Sequence, residues 1–290
     1  MNGSMTLGKR ISIGFAILVL ITLVLGVMSI ASMRGAAITA AKLAEVYVPE
    51  VQVASEVFKA ANEARYNVRA FTQRDDEKAL AEAKKWFGEL QKNLTQAKEL
   101  GKKYELKALI ENEAKASKAL GEYMASVERS EKLLERKKKA DQLLIDNAPM
   151  MIESVVEYVA SVRQNQVDEL KETTVYKDRM IERMDKIITS NRLTILIGDV
   201  RTIGQRGQLK NDIKMIQNSF PKFEEIYAIV KDLVEQTRNP KTVQLLNKIA
   251  LSAKTYETAL KEFSLIMQET VTENAIRVKA AAEVLDSAGD

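Results

Sequence analysis

Residues 68–74, with the sequence Val-Arg-Ala-Phe-Thr-Gln-Arg, recur 132 positions later at residues 200–206 as Val-Arg-Thr-Ile-Gly-Gln-Arg. The valine, both arginines and the glutamine are identical, and the central apolar residue is Phe in one copy and Ile in the other. Each copy is expected to end a long helical pattern and to be followed by turn residues and a second helix. A repeat at this distance predicts two similar helical modules rather than one large core.

The composition predicts an almost entirely helical protein. The chain has 290 residues, of which 46% are hydrophobic, and it has only 4 Pro and 12 Gly. It contains no Cys and no His, so thiol nucleophiles, disulfides, the usual zinc sites and the commonest general base are excluded. We therefore expect a protein that is not an enzyme and needs no cofactor or metal. The net charge of +4 is nearly balanced and does not predict a nucleic-acid partner.

An apolar run near the N-terminus predicts a transmembrane helix. Residues 1–4, before Met5, are interpreted as a cloning remnant. Lys9 and Arg10 precede residues 11–30, a stretch of 20 residues without a charge, which as a helix spans about 30 Å, the thickness of a bilayer core. A cleaved signal peptide is the alternative, but the run is longer than a typical signal and the helical pattern continues after Met33. The two basic residues place the N-terminus in the cytoplasm and the remainder outside.

Six helices are predicted beyond the membrane helix. The first ends at Arg74, Asp75-Asp76 cap the second, Gly101 stops it, and the third continues as one kinked helix through Pro149. A hairpin is expected within residues 164–179, with Thr173-Thr174 at its tip.

The later helices are predicted from the same kinds of signal. The fourth helix runs over about 177–205, with Gly204 and Gly207 bracketing its turn, and the fifth is bent at Pro221. Asn239-Pro240 start the sixth, which continues to about residue 287. The fourth helix has its apolar residues at Ile181, Met184, Ile188, Ile195 and Val200.

The predicted fold class is all-α, with one transmembrane helix followed by six helices that form two stacked four-helix bundles. One bundle would use the first two helices with parts of the third and sixth. The other would use the fourth and fifth helices with the remaining parts of the same two long helices.

Arginines near the repeat are the candidate ligand residues. An apolar seam through positions 51, 54, 58, 61, 65, 68 and 72 predicts that Arg65 faces the interior, with Arg69 one turn further on, whereas Ile197 replaces Arg65 in the second copy. A buried guanidinium needs an anionic partner, either an internal carboxylate or a bound ligand; snorkelling to the surface is the remaining alternative. A carboxylate clamp between helices has six candidate residues: Arg65, Arg69, Asn62, Tyr66, Tyr123 and Arg201.

The N-terminal sequence resembles that of bacterial methyl-accepting chemotaxis receptors. Residues 7–15, Leu-Gly-Lys-Arg-Ile-Ser-Ile-Gly-Phe, and the apolar run after them carry the resemblance. The six-helix pattern and the repeat resemble the helical bimodular sensor domains of these receptors, which also occur in trimethylamine-oxide sensor kinases.

The resemblance implies a cytoplasmic segment at 1–10, a transmembrane helix at 11–33 and a periplasmic sensor domain at 34–290 in the bacterial inner membrane. It further implies a homodimer that binds a small organic acid and transmits a helix shift across the membrane, with a signalling region outside this chain. A histidine kinase or cyclase sensor, or an anchored structural coiled coil without a ligand, are the alternatives.

Overall fold

The computed structural model describes residues 6–171 and 177–289, and every element in that part of the chain is helical. The predicted tip at Thr173-Thr174 lies outside the described residues. The helices, in chain order, are α1 (Leu7–Lys42), a π-helical turn (Leu43–Tyr47), α2 (Val48–Arg74), α3 (Glu77–Lys103), α4 (Lys107–Leu170), α5 (Lys177–Lys210), α6 (Ile213–Gln217), α7 (Phe220–Glu235) and α8 (Pro240–Gly289).

The chain divides into two compact units, and the predicted all-α bundle class is confirmed. Unit 1 comprises Met1–Gly121 with Ala280–Asp290, and so holds α1 to α3, the start of α4 and the end of α8. Unit 2 comprises Glu122–Lys279 and holds the rest of α4, α5 to α7 and most of α8. The long helices α4 and α8 contribute residues to both units.

The core of unit 1 is built largely from alanine. The buried residues of α2 are Val57, Ala60, Ala61, Ala64, Val68 and Phe71. The predicted seam of α2 was partly wrong: Ala61 and Val68 are buried as expected, but Val51 is 68% exposed and Phe58 is 49% exposed. Small alanines allow two helices to approach closely, so the side of α2 that packs best is not the side with its largest apolar residues.

Several helix boundaries follow directly from local chemistry. The Asp76 carboxylate accepts hydrogen bonds from the backbone N–H groups of Lys78 at 3.0 Å and Ala79 at 3.2 Å, which confirms the predicted cap of α3. Asn239 caps α8 in the same way. Pro149 lies inside α4, so the prediction of one continuous helix through that proline is confirmed.

The predicted turn after the second copy of the repeat was wrong. In the first copy, Asp75 has a left-handed backbone directly after Arg74, with φ 55°. In the second copy α5 continues to Lys210, and the left-handed residue is Asn211 with φ 52°. Gly204 and Gly207 are buried within α5, where they permit close approach of neighbouring helices instead of marking a turn.

The predicted bend at Pro221 is in fact a helix start. Helix α6 ends at Gln217, and α7 begins at Phe220 with Pro221 in its first turn. A proline is well tolerated there because the first N–H groups of a helix lack intrahelical partners.

The helix from Leu7 to Arg74 has one segment that is long and apolar enough to cross a membrane, with a mean hydropathy of 2.8. Its helical path contains the π-helical turn, in which the Val48 N–H donates to the Leu43 carbonyl, five residues back. Pro49 follows immediately. Since proline has no N–H and its ring would clash with the carbonyl four residues earlier, a wider turn relieves the conflict.

Replacement of Pro49 by alanine is expected to convert this turn to a regular α-helix. The change of one residue in register would rotate α1 by about 100° relative to α2. Because the chain has no cysteine, spin labels on cysteines introduced at Ala36 in α1 and Lys102 in α3 can report the rotation as a shifted distance distribution. Glu50→Ala is the control and should leave the distribution unchanged; an unchanged distribution in Pro49→Ala would contradict the role of the proline.

Candidate functional site

Most of the predicted ligand residues lie along the outer side of α2. Arg65, Arg69 and Tyr66 are exposed, and Asn62 uses its amide nitrogen to donate to the Phe58 carbonyl at 3.0 Å. The expectation that Arg65 faces the interior of the bundle was therefore wrong. A role of these residues in ligand binding stays a prediction, now for an exposed helix face.

The two copies of the repeat differ at this position for a physical reason. Ile197 is 1% exposed and packs in the core of unit 2, whereas the corresponding Arg65 points to solvent. The spacing predicted for the buried face of α2 is found instead in α5. The positions that correspond to it through the repeat include Ser190, Leu193, Ile197 and Val200, and all four are buried. The side chains, and not the repeat, determine which face of each helix is buried.

Tyr123 belongs to unit 2, where it lies beside an arginine that the sequence analysis missed. Arg277 is only 5% exposed, and its guanidinium donates to Ser130 Oγ and, at 3.4 Å, to Asn274 Oδ1. Burial lowers the pKa of Arg277, and the nearby Tyr123 and Glu273 oppose that effect. Arg277 is spaced three, four and seven residues before buried Ala280, Ala281 and Val284, a spacing that could have revealed it.

Glu273 connects α4 with α8 close to Arg277. One of its carboxylate oxygens accepts from Ser126 Oγ at 2.7 Å, and the other accepts from Arg129 Nε at 2.7 Å. The hydrogen bond from Arg129 lowers the pKa of Glu273; burial opposes this, and the Ser126 hydroxyl adds to the lowering. Glu273 is therefore an ionised partner whose field also compensates the buried Arg277 charge.

Arg201 has a different environment, on the half-buried side of α5. Its Nε atom is buried and has no hydrogen-bond partner among the residues that the structure describes. The charge of Arg201 acts on Tyr256 of α8: burial raises the pKa of Tyr256 to about 12, and Arg201 opposes the rise. Tyr256 is 2% exposed, so its hydroxyl is a neutral donor at pH 7.

Gly204 and Gln208 lie on the same face of α5 as Arg201. A Cβ atom at Gly204 would lie 3.2 Å from the Tyr256 hydroxyl oxygen, so the glycine leaves room for that hydroxyl against α5. Gln208 lies two turns beyond Arg201 on the same face of α5, and its Nε2 atom is also buried with no hydrogen-bond partner in the described part of the chain. We call Arg201, Gly204, Gln208 and Tyr256 the Arg201 site.

The Arg201 site is rich in donors and poor in acceptors. The Arg201 guanidinium and the Tyr256 phenol can together hold an anion with several oxygens, and a carboxylate fits the guanidinium best. Within residues 6–171 and 177–289, no group of three or more acidic side chains is placed to hold a metal ion. The arrangement favours binding of an anion and contains no paired acid and base.

No protein-family model matches the chain, and no curated protein sequence does. The chain is similar to a solved structure described as the crystal structure of the TorS sensor domain–TorT complex in the presence of TMAO. The sequence identity is 17%, the TM-score is 0.45, and the match covers 83% of this chain and 100% of that chain.

Proposed function

We propose that this chain is the ligand-binding sensor region of a transmembrane chemoreceptor of the methyl-accepting class, and that it binds a small organic acid at the Arg201 site. The observation that supports the ligand is the buried Arg201 Nε atom, which has no acceptor in residues 6–171 and 177–289. Leaving such a donor unpaired costs about 1–3 kcal/mol, so an incoming carboxylate recovers that cost as binding free energy.

Arg201 is a better anchor for a ligand than Arg277. Arg277 is almost fully buried and already donates to Ser130 and Asn274. Arg201 is half-buried, so part of its guanidinium reaches solvent while Nε does not. A carboxylate can therefore enter from solvent and accept a hydrogen bond from the buried Nε atom. The Tyr256 hydroxyl would be its second donor.

The membrane segment supports a role in transmembrane signalling. Helix α1 has no buried residue within the chain, and the basic pair Lys9 and Arg10 precedes its apolar core, which favours a cytoplasmic N-terminus and a periplasmic sensor. Ligand binding between α5 and α8 would favour one packing of these helices over another. Since α8 is continuous from Pro240 to Gly289, a shift in unit 2 can pass along it.

Two other functions are compatible with the same helical fold and membrane segment. A sensor region of a histidine kinase or cyclase would bind a ligand in the same way and differ only in its output region. An anchored structural protein would bind no ligand. The first alternative is separated from a chemoreceptor by the output that the full protein controls, and the second by a binding experiment.

Arg201→Ala is expected to weaken binding of the cognate acid by roughly 10- to 100-fold, because a charge-assisted hydrogen bond contributes about 1.5–3 kcal/mol. Short mono- and dicarboxylates would be titrated by calorimetry into the full chain in detergent. Arg201→Lys keeps the charge but loses the planar geometry, so an intermediate loss is expected.

The controls separate this site from the α2 face. Arg206→Ala removes an exposed arginine of the same helix and should leave affinity unchanged. If the acid binds and Arg65→Ala or Arg69→Ala abolishes binding while Arg201→Ala does not, the site is on α2 and the assignment to Arg201 is wrong. If no acid binds at millimolar concentration, the structural protein is the better description.

A further inference from the structure

Two hydroxyl groups on one side of α4 are buried inside unit 2 without a hydrogen-bond partner. Ser154 and Tyr158 are both 0% exposed. Neither the Ser154 Oγ atom nor the Tyr158 Oη atom is hydrogen-bonded to any group in residues 6–171 and 177–289. The two residues are four positions apart, and long side chains of a helix extend over the turn that precedes them. The Tyr158 ring and Ser154 therefore occupy the same side of α4.

Ser190 of α5 supplies a third buried hydroxyl. It is also 0% exposed, and its Oγ atom donates to the Lys186 carbonyl, so the oxygen keeps lone pairs that can accept. Burial raises the pKa of Tyr158, and Ser190 opposes that rise, which places the two side chains close together. The Tyr158 hydroxyl is nevertheless not hydrogen-bonded to Ser190. We call Ser154, Tyr158 and Ser190 the hydroxyl cluster.

The hydroxyl cluster belongs to a part of unit 2 that is otherwise apolar. Tyr158 packs in the same buried core as Val155, Val162 and Leu193. A hydroxyl that is buried there without a partner loses its hydrogen bonds to water on folding and gains none in return. Buried polar groups of native proteins are nearly always satisfied, either by the protein or by an enclosed water molecule. Since no described group of the chain satisfies Ser154 and Tyr158, a bound molecule is the remaining partner.

The chemistry of the cluster selects a small neutral ligand. Lys186 lies one turn before Ser190 and is buried, but its Nζ atom already donates to Glu182 Oε1 at 2.7 Å and to the Gln236 carbonyl at 2.9 Å. An anion beside the three uncharged hydroxyls would therefore lack a compensating cation. Because the three side chains are completely enclosed, the ligand must also be small enough to enter through brief openings of the bundle.

We propose that the hydroxyl cluster binds one internal water molecule between α4 and α5 of unit 2. The Ser154 and Tyr158 hydroxyls donate to the water, and the water donates to Ser190 Oγ. Three hydrogen bonds are the usual number for a buried water. Every hydroxyl of the cluster then has a partner, and the bridge favours this pairing of α4 with α5 over others that would leave the hydroxyls unpaired. The water is independent of the ligand at the Arg201 site.

Removal of single hydroxyls tests the proposal by the sign of the effect. Ser154→Ala and Tyr158→Phe each delete only a hydroxyl group. If that hydroxyl is bonded to the water, the change removes a hydrogen bond, so the Tm of the full chain in detergent should fall by about 2–4 °C. If the hydroxyl has no partner, the change relieves its desolvation, and the Tm should rise instead.

The double variant measures whether the two hydroxyls share one ligand. Loss of either hydroxyl weakens the binding of the water, so the second substitution should lower the Tm by less than it does alone. Thr255→Val is the control in unit 2. Its hydroxyl is exposed and donates within α8 to the Leu251 carbonyl at 3.0 Å, so this change should leave the Tm nearly unchanged.

Transfer of magnetisation from water gives a direct readout. The full chain with 13C-labelled tyrosine would be studied by solid-state NMR in membranes, and the Tyr158 signal would be identified by its loss in Tyr158→Phe. Transfer from water to the Tyr158 ring is expected although this residue is 0% exposed. Ser154→Ala should remove most of that transfer, because the water then has one hydrogen bond fewer.

Three results would overturn the proposal. A rise in Tm for either single variant shows that the deleted hydroxyl was unpaired. Falls in Tm that add up in the double variant show that the two hydroxyls have separate partners. Falls in Tm without magnetisation transfer to Tyr158 show that a group of the protein, and not a water, satisfies the cluster. Each of these results leaves the ligand titrations at Arg201 unaffected.

Discussion

Replacement of Gly207 by alanine is expected to destabilise unit 2 more than any other single methyl group added to a helical glycine of the chain. A Cβ atom at Gly207 would lie 2.5 Å from Ile216 Cγ1, 3.2 Å from the Asp212 carbonyl oxygen and 3.2 Å from the Ile216 backbone nitrogen. Side chains can rotate away from such a contact, but the turn that connects α5 to α6 cannot. The Asp212 N–H donates to the Gly207 carbonyl at 2.8 Å, so the turn holds the two backbones together.

The expected loss for Gly207→Ala is about 2–3 kcal/mol, which corresponds to roughly 5–10 °C in the Tm of a unit of this size. Thermal unfolding followed by circular dichroism measures it. Gly88→Ala is the matched control, because an added Cβ there has no neighbour within 4 Å and the residue is helical and exposed. That control should gain up to about 1 kcal/mol from the higher helix propensity of alanine.

Gly101 provides an intermediate case in the last turn of α3, which continues past this glycine to Lys103. Its added Cβ would meet Ile110 Cγ1 at 2.8 Å, but the nearest backbone atoms are 3.5 Å and 3.6 Å away. Rotation of the Ile110 side chain relieves most of this contact, so Gly101→Ala should cost less than Gly207→Ala. Equal Tm values for the Gly207→Ala and Gly88→Ala proteins would show that the close approach to Asp212 and Ile216 is not rigid.

The existence and order of the helices could be predicted from the sequence because local signals decide them. Asp76 and Asn239 cap helices through their own backbone neighbours, and Pro149 lies within a pattern that continues on both sides. The turn at Asn211 could not be predicted in this way. From the sequence, Gly207 is expected to end a helix. It lies inside α5 because Ile216 of α6 packs against it.

Which face of a helix is buried depends on packing, which the sequence shows less directly. In α2 the alanines at 60, 61 and 64 are buried and Phe58 is exposed, because a close helix pair needs small residues. Arg65 was expected in the interior. It lies at the surface because the alanines, and not the larger residues, form the buried face of α2. In α5 both faces carry apolar residues, so the sequence alone could not separate the buried face, with Leu193 and Val200, from the exposed face, with Ile188 and Ile195.

The candidate site was foreseen in part. Arg201 was proposed as a ligand residue from its place in the repeat, and its buried Nε atom supports that proposal. The other residues of the site, Tyr256 and Gln208, lie 55 and 7 residues away in sequence, and only the fold shows that Tyr256 lies near Arg201. The burial of Arg277 was not predicted, because a charged residue occupies a position where the helix pattern requires an apolar one.

Removal of the Glu273 carboxylate should destabilise unit 2 through the charge of Arg277. In Glu273→Ala the Ser126 hydroxyl keeps an acceptor, the backbone carbonyl of residue 273 at 3.1 Å, and Arg129 is exposed enough to be solvated by water. Arg277 remains buried with uncharged acceptors. Glu273→Ala removes charge-assisted hydrogen bonds and a compensating field at the buried cation, so the expected loss of unfolding free energy in urea titrations is about 1.5–3 kcal/mol.

Arg277→Met tests whether the buried charge is the cause. The methionine fills similar space without a charge, and Ser130 stays satisfied because its hydroxyl donates to the Ser126 carbonyl at 2.8 Å. Arg277→Met alone is therefore expected to be within about 1 kcal/mol of the unsubstituted protein. Adding Glu273→Ala to that variant should cost much less than the same change costs alone. Equal costs in both backgrounds would mean that Glu273 acts through Arg129 and Ser126 instead.

The pH dependence of the unfolding free energy is an independent test of the interaction of Glu273 with Arg277. The pKa of Glu273 is lowered from its ordinary value of 4.5 in the folded protein. Its contribution to stability is therefore fully present above that ordinary value and is lost as the pH falls through the lowered pKa. The difference in unfolding free energy between the unsubstituted protein and Glu273→Ala should be constant near neutrality and shrink in acid. In the Arg277→Met background, where the buried cation is gone, this acid-dependent difference should be smaller, because part of the force that keeps Glu273 ionised has been removed.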